Sequence, residues 1–205
     1  MAGVLVLGGS ISQTDIQSLD AIGIPVTVIG RHSFQLPSVQ VDNVEIGRIA
    51  TQHLLQSGCK SIAFLAGPSS STTMKDRVQG YRETIGGEGQ VLWGELTSDW
   101  GSSAVQQVEA DGIVCGNDMV ALGALHGLSL KNCRVPQDVS VIGCDDIGIA
   151  RNTVPPLTSI AVPSIQLGKQ IVKLLLTIIQ KKEIPREPEV LPVQLHVRAS
   201  TRSLT

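Results

Sequence analysis

Apolar residues fall along this chain in short, β-rich runs separated by stretches of helical spacing. The runs cover residues 4–7, 25–29, 39–41, 61–66, 112–115 and 139–142. Most are continuous rather than alternating, as strands buried on both faces require. Residues 43–58 place Ile46, Ile49, Ala50 and Leu54 on one helical face, with Asn43 positioned to cap the start and Gly58 suited to a left-handed stop. In residues 164–182, "SIQLGKQIVKLLLTIIQKK", Ser164 caps a long helix and Leu167, Ile171, Leu174, Leu175 and Ile178 form its buried stripe. Lys181 and Lys182 offset the dipole at its end. Strand, helix, strand, helix predicts an α/β fold in which helices cover both faces of parallel sheets. The proline-bearing pieces 35–38, 154–156 and 185–189 are predicted connectors.

Composition narrows the classes of function. With 205 residues, 42% of them apolar, the chain suffices for one large domain or two small lobes. A formal charge of -2, a pI near 6.1 and no Lys/Arg cluster beyond Lys181-Lys182 argue against a nucleic-acid groove within these residues. Cys59, Cys115, Cys133 and Cys144 stand singly, without the C-x-x-C pairing of a structural zinc site, and read as reduced thiols of a cytosolic protein. The opening "MAGVLVLGG" lacks the basic stretch of a secretory signal. "IVKLLLTII", interrupted by Lys173, is too short to cross a membrane.

Each apolar run ends in glycine or a polar cluster: Gly8-Gly9-Ser10, Gly30-Arg31-His32, Gly67-Pro68-Ser69-Ser70-Ser71, Gly116-Asn117-Asp118 and Gly143-Cys144-Asp145-Asp146. In an open α/β sheet the carboxyl ends of the strands border the crevice where ligands bind, because helix N-termini point into it. Ordinary turn chemistry collects polar residues in the same places. In "TTMKDRVQGYRETI", expected as a helix capped by Thr73 with Asp76 in its first turn, Arg77 sits near the positive end of the dipole. That position disfavours a cation unless an acceptor faces it; a solvated arginine is the alternative. Asn117 and Asp118 open the next helix, where capping accounts for one of them and a ligand is the other reading. Asp145 and Asp146 suit an Asx-turn or a ligand, and point to opposite faces, which argues against a shared proton or metal. Trp100, in "TSDWGSS", suits stacking on a sugar or base as well as core packing. There is no G-x-S-x-G, P-loop, G-x-G-x-x-G or H-E-x-x-H, and His32, His53, His126 and His196 are scattered, so no catalytic, metal or cofactor set is expected.

Eight segments in order carry a resemblance: "PVTVIGR", "VDNVEIGRIATQHLLQSGCKSIAFLAGP", "DRVQGYRE", "GIVCGNDMVALGALHGL", "RVPQDVSVIGCDDI", "PPLTSIAVP", "LGKQIVKLLL" and "LPVQLHVRAST". Over essentially its whole length the chain resembles the LacI/GalR family of bacterial transcription repressors. The resemblance implies two Rossmann-like lobes of the periplasmic-binding-protein-like type, residues 1–41 with 161–191 and residues 42–160 with 192–205. It also implies a small effector, a sugar or nucleoside-like metabolite, bound between them. Effector contacts would fall on Thr73, Arg77, Trp100, Asn117 and Asp145, and a homodimer face on Met119, Leu122, Ile147 and Ile149. Operator DNA would be met only through an N-terminal headpiece that these residues do not include. Two strand–helix units of the first lobe would also precede residues 4–7, leaving that lobe incomplete and a strand edge bare. Gly30 stands where the family commonly carries an acid before its arginine, and residues 85–111 are short for the family. A transporter's solute-binding protein shares the fold and is the competing reading; the missing export signal and the single cysteines count against it. An enzyme on an α/β scaffold lacks a nucleophile and base.

Overall fold

The computed structural model of the chain describes residues 3–7, 12–32, 36–181 and 187–203. Its elements begin with β1 (Val4–Leu7), α1 (Gln13–Ala21), β2 (Val26–Ile29), β3 (Ser38–Val41), α2 (Asn43–Gln56), β4 (Ile62–Ala66) and α3 (Thr72–Ile85). They continue with β5 (Gln90–Trp93), α4 (Ser98–Ala104), β6 (Gly112–Cys115), α5 (Asp118–Leu130) and β7 (Ser140–Asp145). The last are β8 (Thr158–Ala161), α6 (Ser164–Lys181), β9 (Glu189–Leu191) and β10 (Gln194–His196). Two compact units result, Met1–Asp42 with Pro163–Pro192 and Asn43–Val162 with Val193–Thr205.

The first unit holds a parallel sheet in the order β1-β2-β3-β9. Helix α6 packs on β1, β2 and β3, with Leu167, Ile171 and Ile178 buried and Leu174 and Leu175 half-buried, the stripe its spacing predicts. Ser164 is not its cap. The Pro163 carbonyl accepts the first helical hydrogen bond, from Leu167 N–H at 2.8 Å, so Ser164 is already helical. Lys182, Pro185, Gln35 and the Gly8-Gly9-Ser10 cluster lie outside the described residues. Ser38 and Glu189, expected in connectors, pair within β3 and β9.

The second unit holds six strands in the order β10-β8-β7-β6-β4-β5. Five run parallel; β10 is antiparallel to β8, with Gln194 opposite Ala161. An antiparallel edge on an otherwise parallel sheet is common, but a purely parallel expectation misses it. Strand β8, "TSIA", escaped the apolar pattern because Thr158 and Ser159 are polar, yet both are fully buried. Helix α3 is capped by Ser71, whose Oγ accepts from Met74 N–H at 3.3 Å, and not by Thr73. A turn closed by Ser71 N–H on the Pro68 carbonyl selects Ser71 from the run of hydroxyl residues, and leaves Asp76 beyond the first turn.

Glycines set how closely the helices approach. A Cβ at Gly80 of α3 would strike the Val44 carbonyl of α2, and one at Gly123 of α5 the Ser98 carbonyl of α4. On the same side as α2 and α3, Phe64 and Tyr81 meet edge to face at 5.6 Å, and Tyr81 donates its hydroxyl to the Ile62 carbonyl at 2.7 Å. Gly58, at φ 84°, makes the left-handed stop after α2 that its position predicts.

Candidate functional site

Arg77 occupies the second turn of α3, only 6% exposed. Its Nε donates to Oδ1 of Asn43 at 3.0 Å, its Nη1 donates to the Gly116 carbonyl at 2.5 Å, and its Nη2 lies 3.8 Å from Oδ1 of Asp145. The acceptors that this position demands are therefore supplied by α2, by the loop after β6 and by the end of β7. A solvated arginine is excluded. Asn43 is accordingly no cap: it is the first residue of α2, buried, with its side-chain carbonyl committed to the guanidinium. Behind Arg77 an apolar seam bounded by Ile46, Ala50, Phe64, Val114 and Ile160 has no room for water, and such surroundings strengthen each of these contacts.

Asp145 keeps a 40% exposed side chain beside the buried guanidinium. Desolvation holds its carboxyl above the ordinary value, against the opposing pull of Arg77. Asn117 extends the loop whose Gly116 carbonyl Arg77 grips, and its Oδ1 caps α5 by accepting from Val120 N–H at 2.9 Å. Thr73, half-buried, lies four residues before Arg77 and so on the same face of α3. Trp100 packs against the core of the α4–α5 side, and its indole covers Gly94, where no side chain would fit. Arg77 and Asp145 are thus brought together directly, Asn117 adjoins them through Gly116, and Thr73 shares the Arg77 face of α3, whereas the contacts of Trp100 are with the α4–α5 core and Gly94.

The neighbouring acids have different work. Asp118 is 1% exposed; it accepts from Ser159 Oγ–H at 2.6 Å and from Ile147 N–H at 2.8 Å. Burial pushes its carboxyl up to about 6, although both hydrogen bonds oppose this. Asp146 accepts from His196 Nδ1 at 2.7 Å and from Arg198 Nη2 at 2.6 Å. Burial alone would raise it, but those partners hold it below the ordinary value. Asp145 and Asp146 have φ of 105° and 52°, conformations that cost a non-glycine residue about 1–3 kcal/mol each. The sequence flagged neither Asn43 as a partner of Arg77 nor Ser159 at all; the polar pair inside "LTSIAV" was the available signal for the second.

All four cysteines are unpaired thiols, and burial raises Cys144 to about 12 and Cys115 further still. Among the described residues no helix is long and apolar enough to cross a membrane.

Residues 51–201 match the periplasmic binding protein-like domain family. CelR, an HTH-type transcriptional regulator of Thermobifida fusca, is 33% identical over 97% of this chain and 63% of its own length. CytR, an HTH-type transcriptional repressor of Escherichia coli K12, is 32% identical over 83% of this chain and 53% of its own. Among solved structures, a ribose-bound LacI family regulator from Enterococcus faecalis superposes with a TM-score of 0.91, at 30% identity, over 98% of this chain and 78% of that one. The CelR–cellobiose complex gives 0.89 at 33% identity, over 98% and 66%. The chain therefore spans 53% to 63% of the length of these two curated relatives.

Two α/β units joined by three chain passages, with parallel sheets and flanking helices, define a protein of the periplasmic-binding-protein-like class. The chain belongs to the LacI/GalR family of transcriptional regulators and corresponds to its effector-binding core. The relatives named here are regulators and not enzymes.

Proposed function

We propose that this chain is the effector-binding and dimerisation core of a LacI/GalR-type repressor whose effector is a sugar or nucleoside-like metabolite. The observation that carries the reading is Arg77: a buried guanidinium aimed past Gly116 at the half-exposed carboxylate of Asp145, in a chain similar to ribose-bound and cellobiose-bound regulators. A cation and an anion side by side suit a ligand rich in hydroxyls, which both donate and accept. In this reading Arg77 and Asp145 hydrogen-bond ring hydroxyls, Asn117 donates from its amide nitrogen, Thr73 adds a hydroxyl and Trp100 supplies an apolar wall. The two compact units, residues 1–42 with 163–192 and residues 43–162 with 193–205, are the two lobes. Helix α5 and the segment after β7 form the homodimer face through Met119, Leu122, Ile147 and Ile149, of which Met119 and Ile149 are exposed apolar side chains. Operator DNA is met by a headpiece outside these residues, in the cytoplasm, and neither cofactor nor catalysis is involved. The effector favours one lobe arrangement and thereby biases operator binding.

Thermal shift against D-ribose, cellobiose and adenosine tests the site. A ligand that binds only the folded chain raises its melting temperature with concentration, by about 2.7 kcal/mol of stabilisation at a hundred times Kd. Arg77→Ala is expected to abolish the shift. A panel without any response, or a full shift retained by Arg77→Ala, overturns the reading.

A further inference from the structure

The corner after β7 carries two successive non-glycine residues at positive φ, Asp145 and Asp146. Backbone of this kind persists only where its surroundings over-determine it. The Oδ2 of Asp118 accepts the Ile147 amide at 2.8 Å, and its Oδ1 accepts the Ser159 hydroxyl at 2.6 Å. The same hydroxyl oxygen accepts the Asp146 amide at 3.2 Å. One carboxylate thus holds two consecutive amides of the corner, one directly and one through a hydroxyl, with every donor pointing the same way along the relay. Gly143 admits it: a Cβ there would strike Asp118 Oδ1. Helix capping explains none of this, because Asn117 caps α5.

We propose that Asp118 is a positioning residue for Asp145, fixing through Ile147 and Ser159 the corner from which Asp145 faces Arg77 and Asp146 faces His196 and Arg198. The inference rests on the reading of Arg77 and Asp145 as effector contacts. It assigns the sequence pair Asn117-Asp118 two different tasks, a cap and a clamp.

Amide hydrogen exchange and a carbon-13 carboxyl titration of the whole chain test the clamp in Ser159→Ala, Ser159→Thr and Asp118→Asn. Ser159→Ala should speed exchange of the Asp146 amide at least tenfold and move the titration midpoint of Asp145, with the β4 amides still protected. Ser159→Thr, which keeps the hydroxyl, should restore both, and Asp118→Asn should release the Ile147 amide as well. Calorimetric titration with D-ribose and cellobiose should show at least tenfold weaker binding in Ser159→Ala. Unchanged Asp146 exchange together with an unmoved Asp145 titration overturns the proposal; so does protection lost evenly across β4. If the unmodified chain binds neither sugar, the effector reading fails for those sugars, while exchange and titration still decide the clamp. Should Asp118→Asn fail to fold, the two Ser159 variants carry the test.

Discussion

The Nε of Arg77 donates to Oδ1 of Asn43 at 3.0 Å, so the first residue of α2 is held by a side chain from α3. Asn43 is also the residue at which the chain enters the second compact unit. Asn43→Ala would leave Nε buried without its acceptor, at a cost of about 1–3 kcal/mol. Arg77→Ala leaves the amide and the Gly116 carbonyl unpaired instead. The two changes share one interaction, and a double-mutant cycle by urea unfolding is expected to show a coupling of about 0.5–3 kcal/mol. Strict additivity would mean that the contact is not formed in solution.

Acid should expose two opposing titrations. Burial holds His53, which contacts Thr201 Oγ1 at 2.8 Å, below its ordinary value. Its contribution to stability is therefore present above about pH 6.5 and lost as the pH falls. The Asp118 carboxyl is pushed up to about 6, so its contribution is complete below the unfolded carboxylate value and is lost as the pH rises through 6. Relative to the unmodified chain, Asp118→Asn should lose more melting temperature between pH 7 and pH 5, and His53→Gln should lose less. Scanning calorimetry at constant ionic strength reads both slopes.

The close helix contacts predict a sharp contrast among glycine-to-alanine changes. At Gly80 and Gly123 the new methyl meets main-chain carbonyls, which cannot rotate away, and overpacking of this kind costs about 1–3 kcal/mol. For a chain of this size each kcal/mol lowers the melting temperature by about 2–4 °C. Gly168, inside α6, has open space at the same position, so Gly168→Ala should be stabilising, by up to about 1 kcal/mol.

The homodimer face proposed on α5 and the segment after β7 is expected to fail when a charge replaces an exposed apolar contact. Ile149, 55% exposed, and Met119, 40% exposed, are the places to introduce it. Sedimentation should show the unmodified chain at twice its 21.7 kDa and Ile149→Asp at the monomer mass, with unchanged circular dichroism. A variant that still sediments as a dimer would move the face elsewhere.

Continuous apolar runs made β1, β4 and β6 legible from sequence, and the heavily apolar stripe did the same for α6. Strand β8 stayed hidden because its buried hydroxyls serve hydrogen bonds instead of the apolar core: Thr158 Oγ1 accepts from Arg198 N–H at 2.9 Å, and Ser159 completes the Asp118 relay. Strand β5, "QVLW", is apolar at three of its four positions but is not among the runs read from the sequence; it lies at the sheet edge with its outer residues exposed. In the site, the charge of Arg77 near a helix start raises the question of acceptors but leaves a solvated side chain equally open. Which residues supply them depends on long-range contacts: Asn43 is thirty-four positions away on α2 and Asp145 lies at the end of β7. Likewise, side-chain type alone cannot tell Ser71 from Thr73 as a cap, since the preceding turn decides.

The tail from Val193 onward completes the larger unit, where β10 closes the sheet edge, the Ser200 hydroxyl donates to the Val141 carbonyl and Arg202 reaches the Pro136 carbonyl. A single cut after Val162 therefore cannot liberate that half intact. To graft it onto another scaffold, an engineer would have to excise residues 163–192 and splice across the gap.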